Sequence, residues 1–127
     1  MKIVREQDWM RGRKCYLVTI PEIQTEEKIY GLVYEIAGLD KSGRIECRGY
    51  TDMDTHENFL SFHNRDDFRK NIADVKRIEP ETVTVFFRNG EDSAIIKAHL
   101  GNIEWDVYGT DKYIEIVLSF LKKKFGK

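Results

Sequence analysis

The chain has 127 residues, with 21 Lys and Arg against 22 Asp and Glu for a formal charge of −1. That length favours a single domain over residues 1–127 with a core of its own, and no window approaches the ~20 apolar residues of a membrane-spanning helix. The neutral balance argues against a dedicated duplex-DNA binder, which relies on a basic excess; nucleic acid is not an expected partner unless a local patch serves.

Cys15 and Cys47 are too few for a disulfide scaffold and form no C-x-x-C pair. Met1 to Met10 is charged and lacks the apolar core of a signal peptide, so the expected compartment is the cytoplasm.

In chain order, Lys14 to Ile20 is short, β-branched and aromatic, and Pro21 ends it: a strand. Lys28 to Ile36 places Tyr30, Leu32, Tyr34 and Ile36 at alternate positions and predicts a second strand. The turn cluster at 38–43 joins it to Arg44–Tyr50, where Ile45, Cys47 and Gly49 alternate with Arg44, Glu46, Arg48 and Tyr50, so the pair reads as an antiparallel hairpin. Residues 51–71 are polar and ambiguous; Phe59, Leu60 and Phe62 are expected to be buried, and Asn64-Arg65-Asp66-Asp67 could cap a short helix that carries Phe68 and Ile72. Thr82 to Phe87, the Asn89-Gly90 turn and Ser93 to Ala98 form a further hairpin, and Ile103 to Tyr108 continues the meander. Asp111 to Phe125 is an amphipathic helix, with Ile114, Val117, Leu118, Leu121 and Phe125 on one face and Lys122, Lys123 and Lys124 at its C-terminal end. Tyr113, Ile116 and Phe120 widen its apolar arc to roughly 200°, more than one flat sheet covers. Either the helix plugs a curved sheet or its second flank meets another chain.

The expected fold is therefore α+β: an antiparallel β roll or partly open barrel of about six strands, capped by a C-terminal helix. Ile72–Glu79, the two strands flanking Asn89-Gly90, and the helix Asp111–Phe125 together resemble the pleckstrin-homology-like superfold and its bacterial and GRAM-type relatives. The resemblance covers the C-terminal half, rests on layout, and brings no diagnostic motif.

Three constellations could carry function. Asp52, Asp54, His56, Glu57 and His63 are side chains that bind divalent metals and suggest a metalloprotein or metal-dependent hydrolase, although their spacing matches neither H-E-x-x-H nor a calcium loop. Arg11, Arg13 and Lys14, beside Trp9, suit a nucleic-acid phosphate or an anionic lipid, the more so if the lysines at 122–124 converge on them. Ile116 and Phe120 on the flank of the last helix suit self-association or a protein partner. Tyr30, Tyr34, Tyr50, Tyr108 and Tyr113 are candidates to line a groove. His99 reads as a turn histidine bonded to backbone. No motif supplies nucleophile, base and oxyanion donors together, and no G-x-G-x-x-G or Walker loop occurs, so no catalytic residue or organic cofactor is expected. The leading expectation is a small binding or interaction module without catalytic activity.

Overall fold

The structure is a computed structural model that describes residues 1–51 and 56–126. The chain runs β1 (Lys2–Met10), β2 (Arg13–Thr19), α1 (Glu26–Ala37), β3 (Arg44–Tyr50), β4 (Glu57–Phe62), α2 (Arg65–Lys70), α3 (Ile72–Arg77), β5 (Pro80–Asn89), β6 (Asp92–His99), β7 (Glu104–Thr110) and α4 (Asp111–Phe125). Seven strands form one sheet in the order β1-β2-β7-β6-β5-β3-β4, antiparallel at every pairing. The fold is α+β with a C-terminal helix, as expected. The sheet stays open, however: β1 and β4 are its free edges, and no barrel closes.

Residues 28–36 are the main correction: they are helical. Thr25 caps α1 by accepting the Lys28 N–H at 3.3 Å, and Glu26 and Glu27 sit favourably in the positive first turn. The residues α1 buries are Ile29, Tyr30, Leu32, Val33, Ile36 and Ala37, a period of 3.6 and not 2. The hairpin partner of β3 is instead β4, with Cys47 opposite Leu60 and Ile45 opposite Phe62. A short helix forms after Asn64, whose side chain accepts the Asp67 N–H at 3.0 Å, and it carries Phe68; it ends at Lys70, however, and Ile72 opens a second short helix, α3.

Helices α1, α2 and α4 cover one face of the sheet. Helix α4 packs on β2, β7 and β6, α1 on β5, and α2 on β3 and β4. The core between the layers takes Val18, Trp105, Val107, Ile96, Val85, Ile45 and Cys47 from the strands, with Leu121 and Val33 from the helices. Phe68 of α2 is 1% exposed and meets Tyr30 and Phe62 edge-on, at centroid distances of 6.0 and 5.8 Å. Tyr113 of α4 stacks on Phe87 at 5.9 Å. Gly109 at φ 147° lets β7 approach β6 closely, since a Cβ there would collide with the Ser93 carbonyl oxygen.

The wide apolar arc of α4 has its explanation in α1. Lys124 pairs with Glu35 of α1, and Ile116 borders a crevice shared with Leu39 just beyond α1. The stripe Ile116–Phe120–Lys124, spaced i, i+4, i+8, thus lies on the side of α4 nearest α1.

Candidate functional site

Because side chains alternate along each strand, covering one face with helices leaves the other bare. The register assigns Lys2, Arg5 and Gln7 of β1 to the bare face, with Arg13, Cys15 and Leu17 of β2 and Asp106 and Tyr108 of β7. Ile95, Lys97 and His99 of β6 continue it, followed by Thr84, Phe86 and Arg88 of β5, Arg44, Glu46 and Arg48 of β3, and Phe59 and Ser61 of β4. Trp9 joins the same face through a bulge between Asp8 and Met10, and its ring lies 5.2 Å from that of Tyr108 at an interplanar angle of 51°.

Exposure singles this face out. The chain's exposed aromatic residues are Trp9 at 40%, Tyr50 at 52% and Phe59 at 46%, and all three stand on it. The Arg48 guanidinium lies over Phe59 at 5.7 Å, and the Lys97 ammonium over Tyr108 at 5.5 Å. Charge is asymmetric as well. Arg5, Arg13, Arg44, Arg48, Arg88 and Lys97 face solvent here with Lys2 at a corner, against Glu46, Glu57, Glu104 and Asp106. A chain with net charge −1 thus carries a basic excess on one side.

Several of these charges are locally engaged. His99 Nε2 lies 2.7 Å from Asp106 Oδ2, so the histidine bonds a carboxylate on the neighbouring strand and not the backbone of its turn. Arg44 donates to Ser61 Oγ at 2.6 Å and lies 3.7 Å from Glu46; Arg48 lies 3.4 Å from Glu57. Among the described residues, Arg13 and Arg88 form no ion pair. Burial, then the Asp106 charge, pushes the Tyr108 hydroxyl up to about 12. Burial likewise raises the Cys15 thiol, and Cys47 on the covered face reaches about 12. Both cysteines are free, and four strand spacings (roughly 19 Å) separate β2 from β3, so they cannot pair.

At one end of the bare face a cleft of about 1120 Å³ opens between the β1–β2 and β5–β6 turns. Phe86 and Ile95 form part of its floor, and Arg11, Arg13, Arg44 and Arg88 stand around it, with Lys112 from the start of α4. Glu46, Glu91, Asp92 and Asp111 also border it.

All three expected anion-binding residues border a smaller groove at the β1–β2 turn, with Trp9, Asp8 and Asp111, and two of them also reach the large cleft. Arg11 and Arg13 share the cleft, whereas Lys14 points to the opposite face and bonds Glu6 at 3.3 Å, which raises its pKa. The lysines at 122–124 do not converge on them. Met1 nitrogen donates to the Phe125 carbonyl at 3.3 Å, so the basic end of α4 adjoins the opposite end of β1 from Arg11. Of the metal candidates, Asp52 and Asp54 lie outside the described residues. His56 and His63 flank the two ends of β4, roughly 20 Å apart, too far to share an ion. Among the described residues no three His, Cys, Asp or Glu side chains group as metal ligands. For the interface candidates, Ile116 is 39% exposed and Phe120 is half-buried against the core. Of the tyrosines, Tyr30 and Tyr113 are buried, Tyr34 and Tyr108 intermediate, and Tyr50 exposed.

Sequence reasoning set Trp9 beside Arg11 and Arg13 but missed Arg44 and Arg88 as members of the same surface, and it expected Phe59 in the core, whereas the outward register of β4 leaves its ring 46% exposed. The alternation of Arg44, Glu46 and Arg48 carried the signal for one strand; the neighbours across the sheet needed the strand order. No family model, curated protein or solved structure matches the chain.

Proposed function

We propose that the protein is a cytoplasmic binding module without catalytic activity, and that the uncovered face of its sheet is the recognition surface. One observation carries this reading: every exposed aromatic residue of the chain stands on that face, although it is the side no helix covers. Exposed Trp and Tyr contribute little to folding and much to association, where they offer large rigid contact area with few torsions to freeze. Free buried thiols agree with a reducing compartment.

Amide chemical-shift mapping tests the proposal. ¹⁵N-labelled protein is titrated separately with a single-stranded oligonucleotide, a heparin fragment and an acidic peptide. Shifts confined to the bare-face strands, with at least one probe, support the reading. Shifts centred on α1 and α4, or none with any probe, refute it.

A further inference from the structure

Two adjacent cross-strand rows on the bare face differ in chemistry. In the first, Arg13 of β2 pairs with Thr110 of β7, and Arg88 of β5 pairs with Ser93 of β6. Thr110 Oγ1 lies 3.3 Å from both the Ser93 nitrogen and its carbonyl oxygen, which joins the two halves of the row. The row thus reads Arg, Thr, Ser, Arg across four consecutive strands, and the backbone positions of its two arginines stand roughly 14 Å apart at ~4.8 Å per strand. Two residues further along each strand, about 7 Å away, the second row reads Cys15, Tyr108, Ile95, Phe86 and Arg44. Trp9 extends it at the β1 side, with its ring against Tyr108.

A row of cations with hydroxyls between them, running beside a row of flat apolar surfaces, is complementary to a polymer whose anions and planar rings alternate at a similar separation. We infer that this face binds single-stranded nucleic acid laid across the strands. Phosphates run along Arg13, Ser93 and Arg88, with Arg11 at the entrance of the cleft, and bases stack on Trp9, Tyr108 and Phe86. The aromatic row favours this occupant over an acidic protein, which offers no planar rings to stack on Trp9; Arg13 and Arg88 stand free of ion pairs among the described residues and suit a monoanion, while Glu46, Glu91, Asp92 and Asp111 also border the cleft. A duplex is disfavoured, because its paired bases offer no ring faces to Trp9 and the excess of charge is local. The inference rests on the reading of the bare face as the recognition surface, and it names the ligand class.

The experiment is fluorescence anisotropy with three labelled probes, a ten-nucleotide oligouridylate, the same-length duplex, and polyglutamate. Trp9→Ala should weaken binding five- to hundredfold, the span of one stacked base. With three arginine–phosphate contacts, log K should fall against log[salt] with a slope of about −2, and Arg88→Gln should flatten that slope by about 0.7. Lys123→Gln, at the far end of the molecule, should change neither. Thermal unfolding of each variant confirms that the fold is retained; because Trp9 and Arg88 are exposed, neither change should lower it appreciably. Binding unaffected by Trp9→Ala, or duplex binding as tight as single strand, overturns the inference. If polyglutamate binds the face and oligouridylate does not, the nucleic-acid inference falls while the recognition surface stands. If neither binds, the nucleic-acid inference falls, and the recognition surface falls with it unless the heparin fragment shifts the bare-face amides.

Discussion

Gly31 sits at the sixth position of α1, exposed, and a Cβ built there meets no atom within 4 Å. Glycine in a helix interior costs about 0.5–1 kcal/mol relative to alanine, chiefly because the unfolded chain loses more backbone freedom. With open space around the new methyl group nothing opposes that gain, so Gly31→Ala should stabilise the protein by about 0.5–1 kcal/mol. For a chain of this size the midpoint of thermal unfolding should rise by about 2–5 °C. In urea, with a slope near 2 kcal/mol/M, the midpoint should rise by about 0.25–0.5 M. Equilibrium unfolding followed by far-ultraviolet circular dichroism measures both. A fall in stability would refute the helical assignment of residues 26–37, the open space around Gly31, or both.

Other outcomes follow from the same structure. Trp105 is fully buried and Trp9 is 40% exposed beside cations, so iodide should quench tryptophan fluorescence more than caesium does at equal ionic strength, and Trp9→Phe should abolish the difference. Burial raises the Cys47 thiol from 9.0 to about 12, so its contribution to stability is complete below pH 9 and is lost as pH climbs toward 12. Stability should therefore fall between those values by up to about 1.4 kcal/mol per pH unit from this group, with Tyr108 and Tyr113, both raised to about 12, acting in the same direction; Cys47→Ala should make the alkaline decline shallower. Phe120→Glu should destabilise the monomer by about 1–3 kcal/mol, since the ring packs on the chain's own core, and a dimer that dissociated with the fold unchanged would contradict this placement.

The elements legible in the sequence are those with one unambiguous period. Strands β2, β3, β5, β6 and β7 alternate or are framed by sharp turns such as Asn89-Gly90, and α4 carries a long 3.6-residue stripe. Helix α1 was obscured because nearly every residue from Ile29 to Ala37 is apolar, so both periods fit, and only the capping signature at Thr25-Glu26-Glu27 distinguishes them. The edge strands lacked a hydrophobic signal for a different reason. Strand β1 is solvated along its length and carries Lys2, Arg5, Glu6 and Asp8, charges and bulges that discourage pairing with other chains. The candidate surface was legible one strand at a time: Arg13, Arg44 and Arg88 lie far apart in sequence, and only the pairing order makes them neighbours.

That order also sets the sequence in which the molecule can be assembled. The hairpin of β1 and β2 is synthesised first, yet β2 joins the sheet only through β7, with Arg13 opposite Thr110 almost at the other end of the chain. On the ribosome this ribbon must wait, one side unsatisfied, until the last strand emerges; closing so long a loop slows folding and leaves the nascent hairpin as the surface on which a chaperone would act.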